Sequence, residues 1–298
     1  MFSPLEVFSD SSERLNYNLP TFPLYACKGT LQQFGRHTAP CHWHPDLEFI
    51  LILEGAMDYF INGQTVCLGK GEGIFVNSKR MHYGFSSNKT DCTYIVIAIH
   101  PALLGENTLS GKAYLEEKFA SAAEDFIMLT ANNVWQKEAL LLLPQIYDEM
   151  QNYKGNPLFL LSHAALLCAC MGDHIKPNSE HSENEQAWMT IRRMTAYIHQ
   201  HYDCKITIDD IAAAGTVCRS KCCDLFNKYA GQTPNNYLIR YRLQKSGEML
   251  RETERSICEI AIACGFQTAS YFSYVFRKDT GLTPQEFRKQ SKMQISCK

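Results

Sequence analysis

No stretch of this 298-residue chain holds the roughly 20 consecutive apolar residues that a bilayer-spanning helix needs, so no membrane segment is expected. The opening MFSPLEVFSD lacks a basic stretch followed by an apolar one, and no secretory leader is expected either. Cysteine is plentiful at 13 residues, yet there is no Cys-x-x-Cys pair, the count is odd and the spacing irregular, which argues against a disulfide framework. Cys222-Cys223 and Cys168-x-Cys170 fall in apolar, helix-like stretches and read as small reduced core residues of a cytoplasmic protein. Net charge is nearly absent, at −2, but its distribution is uneven. Residues 188–298 carry 17 Lys/Arg against 10 Asp/Glu, whereas residues 1–187 carry 12 against 21. A basic C-terminal third behind an acidic front suggests a polyanion-binding module joined to a second domain. The length suffices for two cores.

What is present is a duplication. LFNKYAGQTPNNY (225–237) and VFRKDTGLTPQEF (275–287) align so that Phe226, Gly231, Thr233, Pro234 and Tyr237 recur as Phe276, Gly281, Thr283, Pro284 and Phe287, each 50 residues later. Ile211-Ala212 recurs as Ile260-Ala261 at an offset of 49, which puts one extra residue in the second copy's turn. Each copy predicts helix, tight turn, helix. Thr207 caps a helix through Ala214, with Asp209 and Asp210 at the positive end of its dipole. Cys218 to Tyr229 form the next helix, whose inward face is Cys222, Leu225, Phe226 and Tyr229, and Gly231 stops it ahead of Pro234. In the second copy Ser256 is the cap, Gly265-Phe266 the turn, and Phe272, Val275 and Phe276 the buried face before Gly281. Residues 233–252 form a connecting helix. Two amphipathic helices across such a turn describe a helix-turn-helix. An all-helical interaction module is the plainer alternative, and the basic charge and matched stop signals favour DNA.

IAIACGFQTASYFSYVFRKDTGLTPQEFR (260–288) carries GF, YF, F, G-x-TP and an aromatic-Arg pair in series. On these residues the stretch from Ile208 to Arg288 resembles the DNA-binding domain of the AraC/XylS family of bacterial transcription regulators. That resemblance implies two linked helix-turn-helix units whose second helices enter successive major grooves of double-stranded DNA. Two positions depart from the pattern: Cys222 replaces a larger aliphatic, and Gln267 stands where a serine cap is common. Opposite the buried faces, the first recognition helix offers Ser220, Cys223, Asp224 and Asn227, and the second Ser270, Tyr271, Tyr274 and Arg277. Arg219, Lys221, Lys228, Arg240, Arg242 and Lys278 are the candidate phosphate contacts.

Residues 20–101, opening at Pro20, predict short strands between Asn/Gly turns, hence an all-β sandwich or barrel. DLEFILILEGAMDYFING (46–63) gives two apolar runs around Glu54-Gly55, TVCLGKGEGIFVNSKRMHYGF (65–85) two strands around Gly69-Lys70-Gly71, and CTYIVIAIH (92–100) one more. Within CHWHPDLEF (41–49), His42, His44 and Glu48 lie at even separations and share a strand face. His82, at the far end of GIFVNSKRMH, is the natural fourth member. The order H-x-H-x3-E-x6-G followed by Gly73…His82 resembles the two motifs of cupins, double-stranded β-helix (jelly-roll) barrels in whose metal-binding members the matching positions ligate a divalent ion. Asn77 stands where the second motif usually has proline, and Gly35 is one residue too far from the first. Two uses of His42, His44, Glu48 and His82 follow: a zinc, nickel, manganese or iron site, or a metal-free pocket for a small polar effector such as a sugar. The second is favoured.

Residues 111–171 are helical in pattern, KEALLLLPQIYDEM (137–150) and PLFLLSHAALLCACM (157–171) being separated by a Lys154-Gly155-Asn156 turn. So apolar a pair is expected to pack on the barrel or on its twin in a homodimer. The expected organisation is a multidomain chain: a cupin-like effector-binding barrel (1–105), a helical dimerisation or packing segment (106–171), a polar linker (172–187) and an all-α double helix-turn-helix domain (188–298). The function expected is a cytoplasmic regulator, an activator rather than a repressor on the resemblance, with DNA, a small effector, its own second copy and RNA polymerase as partners. The rivals are a metal-dependent cupin enzyme, an isomerase or dioxygenase with a helical appendage, and a non-enzymatic interaction adaptor.

Overall fold

The structure is a computed structural model that describes residues 5–8, 11–19, 21–105, 109–119, 123–152, 155–177 and 181–296. Pro20, Lys154 and residues 178–180 of the expected linker lie outside the described residues. The chain divides into two compact units, Met1–Trp188 and Met189–Lys298.

Strand β2 (Leu47–Ile61) organises the first unit. Its first half pairs antiparallel with β4 (Gly73–Val76) and β6 (Cys92–Ile99), while β1 (Leu24–Thr30) adds to β6. Its second half pairs antiparallel with β3 (Gln64–Gly69) and β5 (His82–Phe85). The two apolar runs expected around Glu54-Gly55 are therefore one strand. A register shift between Ile52 and Glu54 bends it from one sheet into the other, as a bulge does, instead of turning it back.

Both faces of the first half of β2 are buried, so its apolar run there is nearly continuous. Phe49 and Leu51 face helices α3 (Val134–Gln151) and α4 (Pro157–Gly172), packing with Leu143, Ile146, Leu160 and Leu167. Ile50 and Ile52 face the other way, into the interior with Met57, Tyr59 and Ile61. Alternation along the strand puts Glu48 on this inner side with Ile50.

The segment expected to be purely helical also contains a strand. Short helices α1 (Ala102–Gly105) and α2 (Leu109–Lys118) precede β7 (Phe126–Leu129), which pairs with β4 at the sheet edge. FIML is too short and too flanked by helix for its periodicity to declare a strand, and the open edge of β4 decides its state. Asn77, in the proline position, holds the same junction: its amide donates to the Glu124 carbonyl at 3.1 Å and its oxygen accepts from Ser78 N–H at 2.8 Å.

Helix α5 (His181–His201) takes in part of the expected linker. Polar composition suggested a coil there, but the stretch from His181 has no Pro or Gly to break a helix that Ile191, Met194 and Ile198 anchor by burial. The second unit then follows the duplication. Helices α6 (Ile208–Ala214) and α7 (Arg219–Ala230) form the first helix-turn-helix, α8 (Pro234–Glu252) connects, and α9 (Ile257–Ala263) and α10 (Ala269–Thr280) form the second. α11 (Pro284–Ser296) follows.

Thr207 with Asp210, and Ser256 with Glu259, form reciprocal capping boxes. The cap of α10 is Thr268, which accepts from Tyr271 N–H, so Gln267 is not the capping position expected. Gly231 and Gly281 end α7 and α10 in the left-handed conformation, at φ 63 and 80°. Phe226 and Phe276 are fully buried one repeat apart, each worth about 1.5–3 kcal/mol, which fixes the rotation of both second helices.

The reading of cysteines as core residues fits five of the twelve described: Cys27, Cys92, Cys168, Cys222 and Cys264 are buried, whereas Cys67, Cys204, Cys218 and Cys258 are exposed.

Candidate functional site: a buried histidine–carboxylate cluster and a paired helix-turn-helix

His42, His44, Glu48 and His82 meet inside the first unit, each offering a ligand atom within 4.8 Å of the others, and all four are buried. The route differs from the one strand expected. His42 and His82 face each other on an isolated antiparallel bridge, with reciprocal N–H···O bonds of 3.1 and 2.9 Å. His44 precedes the bend at Pro45-Asp46 that starts β2, on which Glu48 lies. His82 opens β5 and is not the end of the β4 strand, because Asn77 to Met81 turn the chain.

Backbone carbonyls set the histidine tautomers. His42 Nδ1 lies 2.8 Å from the Pro40 carbonyl and His82 Nδ1 2.7 Å from the Arg80 carbonyl, so each donates there and turns the lone pair of Nε2 inward. His82 Nε2 has no hydrogen-bond partner, and lies 3.4 Å from Glu48 Oε1. His44 Nε2 lies 3.2 Å from Glu48 Oε2, and the Tyr59 hydroxyl donates to Glu48 Oε1. His44 Nδ1 has no hydrogen-bond partner either, and lies 3.8 Å from Asp46 Oδ2.

Electrostatics separate the members. Burial, helped by the neighbouring imidazoles, pushes His42 down to about 3. Burial opposes charge on His44 too, but the hydrogen bond and charge of Glu48 carry it up to about 9. Burial would raise Glu48, yet His82 and His44 hold its carboxyl well below the usual carboxylate range.

A cavity of about 70 Å³ adjoins the cluster. Its polar lining includes His42, Glu48 and Glu13, and its apolar walls include Leu31, Ile50, Met57 and Val96. Glu13, Tyr59 and Tyr94 were missed in the sequence. Tyr59 shares the inward phase of β2, a signal that was available; Glu13 sits in a segment without motif or periodicity.

The residues fit a divalent cation. Three imidazoles, two of them with tautomers fixed, a carboxylate and a buried His82 nitrogen aimed at it without a hydrogen-bond partner are the donor set of zinc, nickel, manganese or iron, and the carbonyls on the far ring nitrogens of His42 and His82 are the usual support of such ligands.

In the second unit, Arg219, Ser220, Lys221, Asp224 and Asn227 are exposed on α7, with Cys223 half-buried. Ser270, Tyr271, Tyr274 and Arg277 are exposed on α10, the two tyrosines at 47 % and 64 %. The turns between paired helices span four residues in the first copy and five in the second, as the offsets required. Lys228, Arg240 and Lys278 are exposed. Arg242 is not a free phosphate contact. Its guanidinium is half-buried and donates to the carbonyls of Tyr202 and Cys204, both at 2.7 Å, in the stretch that follows α5.

A buried donor cluster in a β domain and a duplicated helix-turn-helix together define a ligand-responsive DNA-binding protein. Residues 29–167 match the AraC-like ligand binding domain and residues 211–290 a helix-turn-helix domain. The chain is 30% identical over 273 residues to the uncharacterized HTH-type transcriptional regulator YdeC of Bacillus subtilis, covering 90% of this chain and 92% of that one. It is 24% identical over 255 residues to the HTH-type transcriptional activator RhaS of Escherichia coli (strain SE11), covering 84% and 87%. Among solved structures it is similar to an AraC-type DNA-binding-domain regulator from Chromobacterium violaceum, at 30% identity and TM-score 0.34, over 36% of this chain and 96% of that one. The chain belongs to the AraC family of transcription regulators, with an N-terminal ligand-binding domain and a C-terminal helix-turn-helix domain. It is a regulator and not an enzyme, which sets aside the cupin-enzyme and adaptor alternatives.

Proposed function

We propose that this regulator activates transcription from sites read by α7 and α10, under control of a small molecule held beside His42, His44, Glu48 and His82. The observation that carries the reading is the cluster itself. Four buried polar side chains that turn nitrogens and oxygens toward one another cost stability unless a ligand offsets the burial. The same four would hold a divalent cation, and such a cation would supply an electrophilic centre for an oxygen or nitrogen of the effector. His42 and His82 stay oriented by Pro40 and Arg80, and Tyr59 holds Glu48.

The apolar walls favour a compact effector with one polar end over a sugar, whose many hydroxyls would go unmatched on Leu31, Ile50, Met57 and Val96. Its control of DNA binding rests on unequal affinity for the arrangements the chain can adopt. In DNA reading, Asp224 accepts from cytosine and Ser220, Asn227, Ser270, Tyr271, Tyr274 and Arg277 meet base edges, while Arg219 and Lys221 hold phosphates.

Activation is supported by the similarity to a named activator, and makes RNA polymerase a partner. A homodimer through the outer faces of α3 and α4 is supported by Val134, Leu141, Leu158 and Leu166, all exposed. Action on DNA supports a cytoplasmic location.

The test is metal analysis of the purified full-length protein, combined with fluorescence anisotropy on DNA upstream of its own gene. Binding that weakens steeply with salt and responds to added Zn²⁺ or to chelation is the expected result. Protein that carries no metal and binds cognate and scrambled DNA alike overturns it.

A further inference from the structure

We propose, on the reading that the histidine–carboxylate cluster governs DNA binding, that the contact between Trp43 and Trp188 carries the state of that cluster into helix α5 and on to the first helix-turn-helix. Trp43 stands between His42 and His44 in sequence, and its own side chain is not a member of the cluster. Its backbone is held on both sides: Trp43 N–H donates to the Ser11 carbonyl at 3.0 Å, and the Trp43 carbonyl accepts from Glu13 N–H at 2.8 Å. The ring is buried and meets Trp188 edge to face, with centroids 5.2 Å apart and planes at 77°. A guest that shifts His42 or His44 shifts the peptide units they share with Trp43, and a close-packed ring passes the shift to its neighbour.

Trp188 closes the first unit and lies on α5, which continues through His201. From Trp188 to His201 the helix has no Pro or Gly at which to hinge. Further along it, the buried Thr190 and Met194 pack on Gly215, the residue that ends α6 ahead of α7. A Cβ added at Gly215 would lie 2.7 Å from Met194 Cγ and 3.1 Å from Thr190 Cγ2, so this packing leaves no slack. The path is two rings, one unbroken helix and the turn that sets α7, the helix carrying Asp224 and Asn227. A guest biases DNA binding along it by fitting one arrangement of the ring pair better than another.

The experiment is a double-mutant cycle on the full-length protein, read by fluorescence anisotropy as affinity for a duplex from upstream of its own gene. Glu48→Gln removes the anion of the cluster whether or not an ion is bound there, and Trp188→Ala removes the ring contact. Thermal melting checks folding. Expected is a change in DNA affinity of about 5-fold or more on Glu48→Gln in the wild-type background, shrinking to under about 2-fold beside Trp188→Ala, with Trp188→Phe between the two. A change of the same size in both backgrounds overturns the role of the tryptophan pair and leaves control by the cluster intact. Should Trp188→Ala fail to fold, an undiminished change beside Trp188→Phe decides against it in the same way. Should Glu48→Gln fail to fold, His42→Gln takes its place in the cycle. Wild-type affinity that no cluster variant alters overturns the reading beneath the proposal, and the proposal with it.

Discussion

His42 and His82 are locked to one another twice over: by reciprocal backbone bonds of 3.1 and 2.9 Å, and by rings in edge contact with centroids 4.4 Å apart. Each ring gives its Nδ1 hydrogen to a carbonyl two residues upstream, at Pro40 and Arg80. The pair is thus held in one tautomer before any guest arrives. Replacing His82 by Gln keeps a polar side chain but moves the donor. We expect it to lower divalent-cation affinity by about 100-fold, and Tyr59→Phe, which strips Glu48 of its supporting hydroxyl, by about 10-fold. Competition titration with Zn²⁺ measures both.

The two sets of helix residues separate by DNA readout. Asp224→Ala is expected to change sequence preference at one base pair by about 1–3 kcal/mol, with little loss on scrambled DNA. Arg240→Ala should weaken binding uniformly and lower the salt slope by about 1. Anisotropy titrations on cognate and scrambled duplexes, at several salt concentrations, check this. Equal losses on both duplexes for Asp224→Ala contradict its role.

Arg242 and Gly265 form one structural unit. A Cβ on Gly265 would lie 2.3 Å from the Tyr202 carbonyl and 2.9 Å from Arg242 Nη2, at a φ of +76°. Gly265→Ala is therefore expected to destabilise the second unit by about 2–4 kcal/mol. Arg242→Ala should cost about 1–3 kcal/mol by leaving two carbonyls short of a donor. At the matching turn of the first copy a β-branched residue, Thr216, holds φ +58°, so Thr216→Gly should stabilise by about 1 kcal/mol. Urea unfolding of the full chain reads all three.

Acid should loosen the helix-turn-helix unit. Asp210, Glu259 and Glu286 each accept bonds from a cap residue, Thr207, Ser256 and Thr283, which hold their carboxyls below the ordinary values of 3.8 for Asp210 and 4.5 for the glutamates. A depressed folded value means that stability is present above the unfolded value and is lost as pH falls through the folded one. The urea midpoint is expected to hold down to about pH 4.5 and to fall below it, and the Glu286→Gln variant to start lower with a shallower fall. A midpoint independent of pH contradicts the prediction.

Oligomeric state is checked on the outer helical face. Leu158 is 73 % exposed and Leu166 56 % on α4, apolar surface that a dimer covers. The double variant L158E/L166E should leave the melting temperature near wild type and shift sedimentation from dimer to monomer. A wild-type monomer overturns the proposal.

The C-terminal unit was legible because its determinants are local. Caps at Thr207 and Ser256, stops at Gly231 and Gly281, and buried phases at Phe226 and Phe276 all act within one or two turns of helix, and the duplication supplied the same message twice. His42, His44, Glu48 and His82 were legible as a set, since the side chains repeat a known spacing. Their geometry was not. The even separation along one strand suggested a shared face, whereas a bend at Pro45-Asp46 and a bridge to a different strand assemble the cluster.

By itself the sequence determined that the protein has two kinds of domain, that the second reads as paired helix-turn-helix units, and which four polar side chains to look for together inside the first. Those facts follow from periodicity, capping and residue type, which need no knowledge of what lies far along the chain. Only the tertiary structure decided that β2 runs unbroken between two sheets, that FIML becomes the edge strand beside β4, that Arg242 serves backbone carbonyls, and that Glu13 meets His42. Each of these depends on a partner distant in sequence: an open sheet edge, an unsatisfied carbonyl or a buried nitrogen exists only after the chain has closed around it.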